Sequence, residues 1–273
     1  MTMPNIKFLQ PTSVDEAVSL LAAEPSETKI ISGGTALVIM LRNRLIAPSN
    51  LLSLRHLQEL RSIRHEPGTG LRIGGLVTIR EAEMSPLVRE KNLTLAQTFG
   101  RVGNVRVRNA ATVGGNLSEA DYASDPPCVL VALRARVRAK SVRGEREIPV
   151  THFFKDFYET SLAPDEILTE LIVPDPAPGS RSSYLKYISR SSEDRPCVGM
   201  AVVVNNKADG SCQELRLVAG AVSEIPQEIE SADTMRNPAG IEPLSDLRGS
   251  AWYRKQIIKV MARRAIQQAI AGN

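Results

Sequence analysis

Apolar positions recur along this chain with two periods, and the switches between them set out its elements. Near the start, Val14, Ala17, Val18, Leu20 and Leu21 share one helical face behind an N-cap at Thr12 or Ser13, after a short strand or arm at 6–9. Residues 29–31 are strand-like, and helical spacing returns at Leu37, Met40 and Leu41. A strand follows over 48–54, then a hairpin over 61–75 about the turn Pro67-Gly68-Thr69-Gly70. Thr78 caps a helix to 84, and Ser85-Pro86 opens another, predicted to continue to about 99. Beyond a helix from 127, strands are predicted over 134–142 and 145–150 about Gly144, and over 166–173.

The last third opens with a strand at 183–190. Strands at 198–205 and 214–222 flank a hairpin turn at Asp209-Gly210, and polar helices follow. A closing helix over about 251–271 has Ile257, Ile258, Val260, Met261, Ala265, Ile266 and Ala269 at helical spacing. Arg254, Lys255, Lys259, Arg263 and Arg264 are placed on its outer, basic face. A strand-rich sheet with a covering helix is an α+β module. Pro174, Pro176, Pro178 and Gly179 form the clearest linker, so a domain boundary is placed there.

Composition narrows the classes. The chain has 273 residues, 42% of them apolar, enough for one large domain or two unequal ones. The start lacks a secretory pattern, and the longest apolar run, 36–41, is too short to span a bilayer. Cys128, Cys197 and Cys212 fit no metal or redox spacing and read as buried thiols in a reducing compartment, with cytoplasm the default. His56, His65 and His152 are too scattered for a metal site. A net charge of +4 invites a nucleic-acid reading, but the cations are dispersed and aromatics make up only 4%. The alternating stretch 133–140 reads as a strand with a basic, solvated face, or as a docking face for an acidic partner subunit. Phe153, Phe154, Phe157 and Tyr158 read as a plug over one end of a sheet, with stacking on a cofactor ring the alternative.

Two glycine turns carry the candidate chemistry. Ser32-Gly33-Gly34-Thr35 lies between a strand and a helix start, where free N–H groups hold an anion. Thr112-Val113-Gly114-Gly115-Asn116 flanks two residues lacking Cβ with a hydroxyl and an amide, and Asp125 follows. Glycine tolerates φ > 0 and lets a ligand reach bare backbone N–H groups. Backbone donors, hydroxyl and amide suit a diphosphate, and the carboxylate suits sugar or ribitol hydroxyls. Alone, the second motif also reads as a tight turn between strands. Neither is a P-loop or a G-x-G-x-x-G fingerprint. Gly74-Gly75 is read as structural.

The order and spacing of these turns, with Arg108-Asn109 before the second and Asp125 after it, resemble the flavoprotein (medium) subunit of the molybdenum hydroxylases. That is the FAD-binding chain of the carbon monoxide dehydrogenase and xanthine dehydrogenase type. The resemblance runs from Phe8-Leu9-Gln10-Pro11-Thr12-Ser13 to Asp246-Leu247-Arg248-Gly249-Ser250-Ala251-Trp252-Tyr253-Arg254. It implies an α+β chain with a two-subdomain, PCMH-type FAD-binding domain over 1–176 (subdomains about 1–57 and 58–176). A C-terminal domain over 177–273, an antiparallel sheet with covering helices, is implied to follow. By the resemblance, FAD lies between the subdomains. Its pyrophosphate meets Ile30, Ile31, Ser32, Gly33, Gly34, Thr35, Ala36 and Leu37 on one side and Thr112, Val113, Gly114, Gly115 and Asn116 on the other. Asp125 is expected on the ribitol side, and Leu168 and Lys186 near the adenine or isoalloxazine portions. Tyr184-x-Lys186-x-x-x-Arg190, with Asp194, also resembles the family.

The resemblance further implies a molybdenum cofactor in a large partner subunit and [2Fe–2S] clusters in a small one, in an (αβγ)2 assembly. Electrons would reach FAD and leave to an external acceptor. A cation beside the ring would stabilise its anionic reduced form and raise its potential, a role open to Lys186. From residues alone, Lys186 also reads as a surface lysine. The chain departs from the family at Ala36, where an acidic or polar residue is usual, and at Glu119 and Tyr122, where His-Ala-Asp-Pro is common. A free-standing flavin oxidase or reductase and a cofactor-free basic binding protein are the rival readings. Neither nucleic acid nor a membrane span is expected for the leading one.

Overall fold

The computed structural model describes residues 6–206, 211–229 and 241–271. Strand β1 (Lys7–Leu9), helix α1 (Val14–Ala23), strand β2 (Thr28–Ile31), helix α2 (Leu37–Arg42) and strand β3 (Asn50–Ser53) build a parallel sheet in the order β1-β3-β2. Ser13 is the N-cap of α1, its hydroxyl accepting the Glu16 N–H. Val14, Ala17, Val18 and Leu21 pack on Leu52, Leu54 and Leu57, as a 3.6-residue period requires. Helix α2 forms where its spacing predicts but buries none of its residues, leaving Val38 and Ile39 exposed.

Strands β4 (Ile63–Glu66) and β5 (Gly70–Gly74) form the predicted hairpin. Helices α3 (Ile79–Met84), α4 (Pro86–Lys91), α5 (Leu93–Phe99), α6 (Val105–Ala110), α7 (Val113–Glu119) and α8 (Asp125–Ala132) follow. Strands β6 (Arg136–Ser141) and β7 (Gly144–Pro149), the small pair β8 (Phe154–Asp156) and β9 (Glu159–Thr160), and β10 (Ile167–Val173) complete this part. The antiparallel order is β4-β5-β10-β6-β7. Thr78 and Glu81 make a capping box at the start of α3. The single helix predicted from 85 to about 99 is two, because Asn92 leaves helical backbone and its side chain accepts the Leu95 N–H to start α5.

The cations of β6 are matched within the chain. Arg136 and Arg138 pair with Glu147, Lys140 with Asp15, and the neighbouring Arg72 with the buried Glu170. That is a solvated face carrying its own counter-charges. The aromatic cluster divides: Phe153 and Phe154 are buried edge-to-face, whereas Phe157 and Tyr158 are exposed.

Strands β11 (Arg181–Tyr187), β12 (Val198–Asn206), β13 (Cys212–Gly220) and β14 (Gln227–Glu228) form an antiparallel sheet covered by helix α9 (Ala251–Ala271). Strand β12 is apolar from Val198 to Val204 because both of its faces are covered there. Val198, Met200, Val202 and Val204 join the core that contains Ile258, Met261 and Ala265 of α9, while Ala201 and Val203 join the core around α8. The turn predicted at Asp209-Gly210 lies outside the described residues, as does much of the stretch read as polar helices. Among its described residues, 241–250 hold a tight bridge between Asp246 and Gly249 rather than a helix.

Two expectations are corrected here. Arg254 does not belong to the basic outer face of α9: it is fully buried, donating to Ala221 O and paired with Asp246. Cys212 is exposed, whereas Cys128 and Cys197 are buried as expected. Among the described residues, no helix is long and apolar enough to cross a membrane.

Candidate functional site

Strand β2 hands the chain to Ser32, whose hydroxyl lies 3.0 Å from Thr112 Oγ1. Thr112 is also the N-cap of α7, its Oγ1 accepting the Gly115 N–H at 3.0 Å. The two glycine turns therefore touch, and their glycines permit it. A Cβ on Gly33 would fall inside the Ala110 carbonyl, and one on Gly115 would stand 2.8 Å from Ser32 Oγ and 2.9 Å from Thr112 Oγ1. Gly34, with φ +70°, adopts the left-handed backbone that favours glycine.

The second turn differs from both local readings. It is the first turn of a helix, not a link between strands, and Gly114 and Gly115 have ordinary helical backbone. Its amides are engaged inside the chain: Val113 N–H donates to Val77 O, Gly114 N–H to Gly75 O, and Asn116 N–H to Thr112 O. In the first turn, the N–H groups of Gly33, Gly34, Thr35 and Ala36 have no protein acceptor among the described residues. Open donors thus come from the first turn, and the second supplies the surface on which it rests. Ile30, Ile31 and Leu37, at the ends of the first turn, are half-buried.

Beyond the second turn, Asn116 pairs through its amide with the Ser124 hydroxyl, 3.0 and 3.1 Å apart. The next residue, Asp125, opens α8 and is buried, because α8 is enclosed on every side. Tyr184 Oη donates to its Oδ1 at 2.7 Å, and Lys186 Nζ to its Oδ2 at 3.0 Å. Lys186 Nζ also donates to Arg101 O at 2.9 Å. Burial pushes the Asp125 carboxyl up, against the pull of the Lys186 ammonium and the Tyr184 hydroxyl. Burial, helped by Asp125, pushes the Tyr184 phenol well up, so it remains a donor. Both members of the Asp125–Lys186 pair have side chains less than 5% exposed (4% and 3%), so Lys186 is not a surface lysine.

Leu168 is buried on β10 behind the second turn. Its carbonyl lies 2.5 Å from where a Cβ on Gly75 would stand, and Gly75 O lies 2.8 Å from a Cβ position on Gly114. The pair Gly74-Gly75 is structural, as read. Of the three departures, Ala36 is the N-cap residue of α2, without a side-chain cap. The Glu119 carboxyl is pushed up by burial and by Asp121. Tyr122 turns to the C-terminal part of the chain: its ring meets Phe157 edge-on at 5.1 Å and its hydroxyl donates to Asp246 at 2.9 Å. Sequence reasoning gave no role to Tyr184, Ser124 or Asp246. Only Tyr184 had a readable signal, since period two along β11 puts it on the same face as Lys186.

A β-strand, a glycine turn with unpaired amides and a second glycine turn locked beneath it make an anion-binding arrangement suited to a diphosphate. Residues 4–176 match the family described as "FAD binding domain in molybdopterin dehydrogenase". The nicotine 6-hydroxylase medium subunit of Paenarthrobacter nicotinovorans is 33% identical, over 98% of this chain and 99% of its own. The carbon monoxide dehydrogenase medium chain of Hydrogenophaga pseudoflava is 29% identical, with 99% of both chains covered. A solved structure of carbon monoxide dehydrogenase from that organism superposes with a TM-score of 0.91 over 99% of both chains. Quinoline 2-oxidoreductase from Pseudomonas putida 86 superposes with a TM-score of 0.89 at 30% identity, over 98% of both. The chain belongs to the FAD-binding medium subunits of the molybdenum hydroxylases, which makes it an oxidoreductase subunit with FAD as its cofactor.

Proposed function

We propose that this chain is the electron-transfer subunit of a cytoplasmic molybdenum hydroxylase. It receives electrons from [2Fe–2S] clusters of a small partner subunit and passes them to an external acceptor. Substrate oxidation takes place at a molybdenum cofactor in a large subunit, the three chains assembling as (αβγ)2. Relatives named as medium subunits or medium chains, matched from end to end, support this reading. So do the three free cysteines, too few and too scattered to ligate a cluster.

The observation that carries the cofactor assignment is the Ser32–Thr112 contact beneath the open amides of 33–36. Those amides, with the turn at 30–37, bind the FAD pyrophosphate. Thr112, Val113, Gly114, Gly115 and Asn116 support it from the other side, Asp125 lies toward the ribitol, and Leu168 and Lys186 lie toward the rings. Bound FAD supplies the redox chemistry. The chain's own work is to hold the dinucleotide, exclude water from one face and set the charge beside the ring. The deciding experiment mixes the FAD-loaded chain with its reduced iron–sulfur subunit and follows flavin bleaching. Reduction only in the presence of that subunit supports the reading, whereas turnover of an organic substrate by the chain alone contradicts it.

A further inference from the structure

Three groups near the turns form a unit whose third member has no assigned role. We infer that Tyr184 is a positioning residue that holds Asp125 ionised, so that Lys186 faces the cofactor as half of an ion pair rather than as a free cation. The inference rests on the proposed placement of Lys186 beside the flavin ring.

The geometry is specific. Tyr184 and Lys186 project from the same face of β11 toward α8, and each supplies one donor to one oxygen of Asp125. Across the sheet, Lys186 is in register with Gly199 of β12. A Cβ on Gly199 would stand 2.7 Å from Tyr184 Oη, so glycine there leaves the phenol room to reach Asp125. Within the surroundings of Asp125, Lys186 and the more distant Arg101 favour the carboxylate, and the buried Cys128 thiol lies on the same helix. The Tyr184 hydroxyl is the neutral donor that completes the carboxylate. Its loss strips a buried anion of one of two charge-assisted hydrogen bonds, and the cheapest response is to take up a proton. The Lys186 charge is then no longer cancelled, and a flavin beside it becomes easier to reduce.

The test compares Tyr184→Phe, Lys186→Met and the double variant in the FAD-loaded protein. Tyr184→Phe should shift the midpoint potential upward, by about tenfold in the two-electron equilibrium, about 30 mV. In the Lys186→Met background the same change should add nothing, because Asp125, buried without its cation, is already protonated there. An unchanged or lowered potential, or an equal rise in both backgrounds, overturns the inference. A second arm does not need flavin. Infrared spectra of the FAD-free Tyr184→Phe chain should show a protonated-carboxyl band that is absent from the wild type and is removed by adding Asp125→Asn. Absence of that band overturns the inference whether or not the chain binds FAD. Failure of the wild type to bind FAD would sink the functional reading instead.

Discussion

Ser32 and Thr112, eighty residues apart in sequence, meet through their hydroxyls at 3.0 Å. The first directly follows a strand of a parallel sheet, and the second caps a helix laid against an antiparallel one. One hydroxyl contact therefore links the end of the parallel sheet to the helix laid on the antiparallel one. Its effects are separable, because Thr112 also caps α7 whereas Ser32 has only the joint to lose. Ser32→Ala is expected to weaken FAD binding about fivefold, roughly 1 kcal/mol, with little change in melting temperature. Thr112→Ala is expected to weaken binding as well and to cost about 1 kcal/mol of stability through the lost cap, a fall of about 2–4 °C. Titration with FAD and thermal scans of the FAD-free proteins distinguish the two.

The glycines of the turns should fail differently. Alanine at Gly33 presses on the Ala110 carbonyl, and at Gly115 on two hydroxyls, so both substitutions separate the turns. Alanine at Gly114 presses on backbone at Gly75 and disturbs the core beneath. Gly33→Ala and Gly115→Ala are expected to lose flavin, seen as the visible absorbance band of the purified protein. Gly114→Ala is expected to lose about 1–3 kcal/mol in urea unfolding, as overpacking does.

Lys186→Met leaves Asp125 buried without its cation, and it takes up a proton. Breaking a buried pair from one side costs about 3–5 kcal/mol, and the same change removes positive charge from the ring. Lower stability together with a lower flavin midpoint potential is the expected outcome, read by chemical denaturation and by spectroelectrochemistry. A potential equal to that of the wild type would remove Lys186 from the flavin site.

Acid should unlatch the C-terminal part of the chain. Burial alone would raise the Asp246 carboxyl, but the Arg248 N–H, the Tyr122 hydroxyl and the Arg254 guanidinium together hold it down at about 2. Its folded value lies below the unfolded value of about 4, so the stabilisation is complete above that pH and disappears as pH falls toward 2. About 2 kcal/mol is at stake. Urea unfolding of the wild type should lose that much more than Asp246→Asn over this window. Parallel pH profiles for the two proteins would contradict the latch.

Much of this was legible because local rules and tertiary packing agree. The spacing in 14–21 and 251–271, the Thr78 cap and the turn at 67–70 all specify elements that packing then uses. Elsewhere the sequence is locally ambiguous. Nothing in 85–99 says that Asn92 prefers its own capping bond to a continuous helix. Arg254 has the spacing of an outward-facing cation, and its burial is tolerable because the fold brings Asp246 and the Ala221 carbonyl onto it. In the site, glycine pairs located both turns, but which of them keeps free amides depends on Val77 and Gly75, residues far from either motif. Asp125 and Lys186 were singled out separately, and their pairing depends on how β11 lies against α8.

Backbone hydrogen exchange, followed with and without FAD, probes the closure of the two turns on one dinucleotide most directly. FAD should slow exchange at residues 32–37 and 112–116 together, over the same range of ligand concentration. Protection confined to one turn, or absent from both while FAD is bound, would show that they do not share the cofactor.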